Sequence, residues 1–311
     1  MVRMSTYVIA IGGNALAQNA AGLDQILRDI AKVVVDFSEK GHCIVVVHGN
    51  GPQIGNLVLQ NEAARQMIPQ SPMDECVAMT QAMIGYPLQQ HIYNELQNQK
   101  STTQVVTLVT QVLVDEEEMK GLLPTKPIGP FYTKEQAEQL MREKNVVIAE
   151  DAGRGYRRLV TSPKPKGIVE ISAIHELIKS GAIVITGGGG GIPVVREADG
   201  SLRGVEAVID KDFTAQRIAQ ELGADYLLIL TGEEYLAIDY GKPTQKNLTY
   251  VTVKELDEYI QQGQFPEGSM LPKVQAAEGF VLWRRDGVAV IGALHKLREI
   301  LDGKSGTRIG R

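Results

Sequence analysis

The chain has 311 residues, 43% of them hydrophobic and 22% charged, which is the composition of an ordinary folded globular protein and excludes a disordered or fibrous one. Thirty-two basic against 37 acidic residues leave a net charge of −5, which argues against a general affinity for nucleic acid or anionic membrane while leaving room for a local basic cleft. No apolar run approaches the roughly 20 residues of a membrane span, Gly12, Gly13 and Asn14 fall where a secretion signal would be apolar, and the two cysteines, Cys43 and Cys76, lack metal-ligand spacing, so a cytoplasmic protein with reduced thiols is expected.

The first element is a strand at residues 7–11, apolar and rich in β-branched side chains, ending at Gly12-Gly13-Asn14. Leu23, Ile26, Leu27, Ile30, Val33, Val34 and Phe37 then recur at three- and four-residue steps, a helical pattern that stops at Gly41. A second apolar strand at 43–47 runs into His48-Gly49-Asn50-Gly51-Pro52, and a helix from near Gln53 carries Ile54, Leu57, Val58 and Ala64 on one side. Continuous apolar strands alternating with amphipathic helices imply a parallel sheet covered on both faces. A long helix follows at 74–99, with Pro87 expected to kink or interrupt it, and then a strand pattern at 104–114.

Between residues 115 and 166 the composition changes to an acidic run, Asp115 to Glu118, five prolines and several charged turns, with one helix near 134–143. A structureless loop of that length would be unusual, so an inserted subdomain at 115–166 is expected within one α/β domain spanning 1–311. The alternation resumes with a helix at 171–180, a strand at 182–186 running into five consecutive glycines at 187–191, a short strand at 205–209, and a helix at 212–222 with Asp212 as its N-cap. A strand at 226–230, a helix at 273–280, a strand at 288–291 and a closing helix at 293–301 complete the pattern. The tail, 305–311, reads as a short strand or a frayed end.

In an open parallel sheet, ligands bind beyond the carboxyl ends of the strands. Gly12-Gly13, Gly49-Asn50-Gly51 and the glycine run at 187–191 all fall at such ends. Glycine lets backbone come close to a ligand, and helix N-termini offer unpaired N–H groups to anions. One glycine pair alone would read as a tight turn; three at three strand ends point to a phosphate pocket. The spacing matches neither the dinucleotide fingerprint nor a Walker A loop, which argues against an NAD enzyme and a P-loop ATPase. Three lysines sit in turn-like contexts: Lys126 in Pro124-Thr125-Lys126-Pro127, Lys211 in Ile209-Asp210-Lys211-Asp212, and Lys273 after Leu271-Pro272. Lys211 stands out because it follows an apolar strand, opens a helix and is flanked by two acids. Phosphoryl transfer needs positive charge fixed around the moving group, and lysines oriented by an aspartate supply it. His48 beside the second glycine turn reads equally as a backbone-bonded turn residue. No nucleophile elbow, HExxH motif, Cys/His cluster or carboxylate cage for a metal is visible.

Eight words carry a resemblance: Val8-Ile9-Ala10-Ile11-Gly12-Gly13-Asn14-Ala15-Leu16, Val46-Val47-His48-Gly49-Asn50-Gly51-Pro52-Gln53-Ile54-Gly55, Gln81-Ala82-Met83-Ile84-Gly85-Tyr86, Glu150-Asp151-Ala152-Gly153-Arg154-Gly155-Tyr156-Arg157-Arg158, Ser162-Pro163-Lys164-Pro165, the stretch 187–193, Glu206-Ala207-Val208-Ile209-Asp210-Lys211-Asp212, and Ile291-Gly292-Ala293-Leu294. In order and at natural spacing, over nearly the whole chain, they resemble the carbamate kinases of the amino acid kinase superfamily. The resemblance implies a three-layer αβα sandwich around a mostly parallel sheet of about eight strands, a protruding subdomain and a homodimer. It implies reversible phosphoryl transfer, ATP + carbamate ⇌ ADP + carbamoyl phosphate, with Mg²⁺ carried on the nucleotide phosphates. Such enzymes usually run towards ATP at the end of arginine, agmatine or purine-derived catabolism.

The resemblance also implies site residues. Lys211, Lys273 and the subdomain's Lys126 clamp the phosphates, and Asp210 organises the lysines. Gly12, Gly13, Asn14, Gly49, Asn50 and Gly51 surround the carbamate and the transferred group. The nucleotide lies over the C-terminal half, on Lys211, Lys273, Thr231, Gly232 and Tyr240, with 231–235 and 240–243 forming its adenine and ribose side. The alternatives are a relative that phosphorylates another small carboxylate and, from a different class, a non-catalytic nucleotide sensor. Two positions depart from the family's words: Leu271, where glycine is common, and Arg308, where a small residue or cysteine is common.

Overall fold

The computed structural model describes residues 4–16, 20–144, 146–151, 153 and 155–311. Eight strands form the central sheet: β1 (Thr6–Ile11), β2 (Cys43–His48), β3 (Val105–Thr107), β4 (Ile183–Ile185), β5 (Tyr226–Thr231), β6 (Tyr250–Thr252), β7 (Val288–Ala293) and β8 (Thr307–Gly310). Across the sheet they lie in the order β6-β8-β7-β5-β1-β2-β4-β3. Adjacent strands are parallel except β7 and β8. Successive side chains enter opposite cores: Val8, Ala10, Val45, Val47, Leu227 and Ile229 on one face, Ile9, Ile11, Ile44, Val46, Leu228 and Leu230 on the other. Both faces are apolar, which is why these strands read as unbroken apolar runs.

Ten α-helices are described: α1 (Ala20–Glu39), α2 (Gly51–Ala64), α3 (Met73–Asn98), α4 (Glu116–Gly121), α5 (Lys134–Lys144), α6 (Ile171–Lys179), α7 (Lys211–Glu221), α8 (Val253–Gln261), α9 (Leu271–Trp283) and α10 (Leu297–Leu301). One core takes Leu27, Ile30 and Val34 from α1, Ile84, Leu88 and Ile92 from α3, and Leu297 and Ile300 from α10. The opposite core takes Ile174 and Ile178 from α6, Ala215 and Ile218 from α7, Leu256 from α8, and Val274 and Ala277 from α9. The result is the expected three-layer αβα sandwich with an eight-stranded, mostly parallel sheet. None of the described helices is long and apolar enough to cross a membrane.

Several local expectations change. Helix α3 runs unbroken through Pro87. A proline inside a helix costs about 3 kcal/mol, less than the burial of Ile84, Leu88 and Ile92 around it contributes at about 1.5–3 kcal/mol each. The strand pattern at 104–114 divides into β3 and a separate strand, Gln111–Leu113, in a four-stranded sheet with Ile192–Arg196, Leu202–Gly204 and Gly167–Ile168. The buried Gln81 amide makes the break: its Nε2 donates to Thr110 O (3.1 Å), and its Oε1 accepts the Thr110 N–H (2.8 Å). Residues 205–209 are not a strand, because their N–H groups go elsewhere: Val205 to Pro193 O and Val208 to Thr161 O. The closing helix divides into a 3₁₀ turn, Leu294–Lys296, and α10. The tail is strand β8.

Helix α7 opens at Lys211, and its N-cap is Asp210 rather than Asp212. Leu271 is the first residue of α9; among the described residues, the non-glycine positions at positive φ are Lys100 and Asp239, so leucine meets no strain there. Arg308 lies exposed on β8. Within 115–166, Lys126–Tyr132, Tyr156–Val160 and Val147–Glu150 form an antiparallel sheet, and Asp115 caps α4 by accepting the Glu118 N–H. Ala152 and Arg154 lie outside the described residues, as does the side chain of Asn14.

Candidate active site

Strands β1, β2, β4 and β5 are parallel, so the turns that leave them meet at one edge of the sheet. The Gly12 N–H donates to Leu230 O (3.1 Å) and the Gly49 N–H to Ile11 O (2.9 Å). These turns touch backbone to backbone: a Cβ added at Gly49 would lie 2.7 Å from Gly13 N. At Gly190, in the third turn, φ is +95° and a Cβ would lie 2.0 Å from Ile209 O, so no side chain fits.

Neutral polar groups hold this floor from behind. Asn50 Nδ2 donates to Thr80 Oγ1 (2.8 Å), which donates in turn to Val77 O (2.7 Å). Gln81 Nε2 also donates to Gly188 O (3.1 Å). Thr110 Oγ1 accepts the Gly187 N–H (3.0 Å) and bonds Thr186 Oγ1 (2.7 Å), while Thr214 Oγ1 donates to Gly190 O (2.7 Å). His48 is buried, with Nδ1 3.2 Å from Gly49 O, a pure acceptor, so that nitrogen carries the proton. Burial, helped by the Lys211 charge and opposed by bonds to the backbone of Gly49 and Gln81, pushes the His48 pKa down to about 4, and the ring is neutral at pH 7.

The charged half stands on the start of α7. Asp210 Oδ1 caps the helix by accepting the Asp212 N–H (3.0 Å), and Oδ2 binds Lys126 Nζ (2.7 Å). Asp212 is 1% exposed; its Oδ1 binds Lys211 Nζ and its Oδ2 binds Lys273 Nζ (2.8 Å), from the first turn of α9. Three ammoniums against two carboxylates leave one positive charge over. Burial alone would raise the Asp210 pKa, but the Lys126 charge and hydrogen bond, the Asp212 N–H and Lys211 together bring it down to about 2. Burial pushes Lys211 below the usual lysine range against the pull of Asp212, and Lys273 adds to the depression. For Lys273, burial also acts downward, yet Asp212 and then Asp210 outweigh it and raise the pKa.

The structure thus gathers Lys126, Asp210, Lys211 and Lys273 beside the turns of Gly12, Gly13, the Asn14 backbone, Gly49, Asn50 and Gly51. One correction concerns the organising aspartate. Asp212, not Asp210, bridges Lys211 and Lys273; Asp210 holds Lys126. Helix geometry supplies the signal: an N-cap aspartate spends one oxygen on the N–H two residues on, leaving the next aspartate free to face the lysines. Gln81, Thr80 and Thr110 carry no such local signal. Thr231 and Gly232 leave β5 at the same edge, since Leu230 O accepts the Gly12 N–H. Tyr240 stands apart, on the loop between the paired strands Leu236–Ile238 and Lys246–Leu248, exposed, with its hydroxyl donating to Glu233 Oε1 (3.1 Å).

The amino acid kinase family model matches residues 5–281. Carbamate kinase from Staphylococcus haemolyticus is 50% identical over 308 residues, 98% of this chain and 99% of that protein. Carbamate kinase from Clostridium perfringens is 47% identical over 310 residues, 97% of this chain and 98% of its own length. Carbamate kinase from Giardia lamblia bound to AMP-PNP matches in structure with a TM-score of 0.90 and 38% identity, over 99% of both chains. The chain therefore belongs to the amino acid kinase family, in its carbamate kinase branch.

Proposed function

We propose that the protein is a carbamate kinase that transfers a phosphoryl group reversibly between ATP and carbamate, giving ADP and carbamoyl phosphate. The observation that carries this reading is the Asp212 carboxylate holding Lys211 and Lys273 side by side next to the glycine turns. Phosphoryl transfer is catalysed mainly by positioning and by fixed charge around the moving group, and this arrangement supplies both. Carbamate oxygen is already anionic, so it attacks the γ-phosphorus without a general base. The new P–O bond forms as the bond to the β–γ bridging oxygen breaks, and ADP leaves with that electron pair. Lys211 and Lys273 stabilise the charge that develops on the transferred group and the leaving oxygen, and Lys126 adds a third ammonium from the 115–166 segment, read here as the protruding subdomain.

Gly12, Gly13, Asn14, Gly49, Asn50 and Gly51 form the floor for carbamate and the phosphoryl group; Thr231, Gly232 and Tyr240 form the nucleotide side. Among the described residues no three potential metal ligands cluster, and Asp210 and Asp212 are committed to lysines, which suits a Mg²⁺ ion carried in on the nucleotide phosphates to neutralise their charge. The reading extends to a cytoplasmic homodimer making ATP in catabolism such as arginine breakdown. An exposed stripe on α3, Met79, Met83, Tyr86 and Tyr93, supports the dimer.

Coupled ATP formation from ADP and carbamoyl phosphate with Mg²⁺ tests the reaction. Turnover is expected, and in the reverse direction carbamate is expected to outrun N-acetylglutamate and aspartate as acceptors. Faster phosphorylation of either amino-acid carboxylate overturns the assignment.

A further inference from the structure

Two residues that the reaction leaves unused, Arg158 at the end of one sequence word and Glu206 at the start of another, meet in space. Residues 206–210 lie outside any sheet, and Glu206, Val208 and Asp210 all meet the same neighbour. Glu206 pairs with Arg158. Val208 joins the buried cluster of Ile54, Val77, Ile128 and Val160. Asp210 pairs with Lys126 at 2.7 Å. The neighbour is the strand pair Lys126–Tyr132 and Tyr156–Val160, where Lys126 lies opposite Val160 and Ile128 opposite Arg158. Opposed residues and those two apart share a face, so Lys126, Ile128, Arg158 and Val160 all point one way. The backbone adds a stitch, the Val208 N–H donating to Thr161 O (3.1 Å).

The match is therefore charged, apolar, charged along five residues that lead straight into Lys211. Its two ends differ. The Asp210–Lys126 end takes part in the site, and a phosphoryl group arriving beside Lys126 competes with Asp210 for that ammonium. The Arg158–Glu206 end belongs to no part of the lysine–aspartate chain. Resting on the carbamate kinase reading, we propose that the Arg158–Glu206 ion pair is a clasp that keeps the Lys126 strand docked on residues 206–210 while Lys126 exchanges Asp210 for the phosphoryl group. Arg158 and Glu206 are then positioning residues, acting through Lys126. Their side chains are 28% and 55% exposed, which sets a modest effect.

The test combines kinetics with hydrogen exchange on the full-length protein. Glu206→Gln and Arg158→Gln are each expected to lower kcat by about fivefold, the upper range for a part-exposed ion pair, with the KM for ADP changed by less than about twofold. The exchanged pair, Arg158→Glu with Glu206→Arg, is expected to recover most of the loss. In a Lys126→Ala background, Glu206→Gln is expected to cause no further loss, which a merely structural role would not produce. Amide exchange at 126–132 and 156–160 is expected to speed up in both single variants while α7 stays protected. Full kcat in both single variants, equal losses with and without Lys126, or unchanged exchange overturns the clasp. A wild-type protein without turnover defeats the carbamate kinase reading instead, and the exchange measurement still decides whether the ion pair docks the strand.

Discussion

At the start of α7, three lysines are held by two carboxylates, while one strand away the glycine turns are held by the neutral side chains of Asn50, Thr80, Gln81, Thr110 and Thr186. The charged half is adjustable: an ammonium can trade one anion for another at small cost, and its pairings respond to pH. The neutral half is rigid, because its amides and hydroxyls are bonded to backbone or to one another and a Cβ at Gly49 or Gly190 would run into backbone. On the proposed reading their pairing divides the work of phosphoryl transfer, with the floor fixing where the acceptor sits and the lysines following the charge as it moves.

The largest effect expected is at the charged half. Lys211→Ala lowers kcat by about 10²–10³ or more in the coupled assay, with circular dichroism unchanged, because Asp212 keeps Lys273 as a partner. Near-normal kcat would move the main charge stabiliser elsewhere. Next, Gly49→Ala tests the rigid half. Its Cβ would press on Gly13 N, costing about 1–3 kcal/mol of stability by chemical denaturation. By separating the two turns it lowers kcat/KM for carbamoyl phosphate by about 10². Full activity would mean that the floor adjusts as the lysines do.

Within the charged half, the two aspartates separate. Asp212→Asn removes the counter-charge of two lysines and moves the alkaline limb of the kcat–pH profile down, since Lys211 then loses its proton more readily. Asp210→Asn leaves that limb nearly in place and weakens the hold on Lys126. Identical profiles would erase the distinction drawn between them. The last test reads stability and leaves turnover aside. His48 titrates at about 4 in the folded chain against an ordinary 6.5, so the folded state resists its protonation. Stability present above pH 6.5 falls by about 3 kcal/mol as pH drops through that window to about 4, and His48→Asn flattens this part of a denaturation-against-pH curve. An unchanged curve would take His48 out of the rigid half.

Much of this was legible before any coordinates. The apolar runs of β1, β2, β4, β5 and β7 announce buried parallel strands, and the glycine turns announce the binding edge because both features are written in consecutive residues. The illegible parts depend on partners far along the chain. Residues 205–209 carry a strand's composition, yet Val208 bonds Thr161, so the segment becomes one side of a charged and apolar seam. Residues 104–114 look like one strand until Gln81, on α3, captures both backbone groups of Thr110.

By itself the sequence determined the layers, the parallel sheet, the three turns and the presence of Lys126, Lys211 and Lys273, since periodicity, glycine spacing and helix starts act over a few residues. Only the tertiary structure decided which carboxylate serves which lysine. An aspartate's partner depends on the direction its oxygens face once α7 is capped and on the arrival of Lys273 from 61 residues away, and no local pattern encodes that meeting.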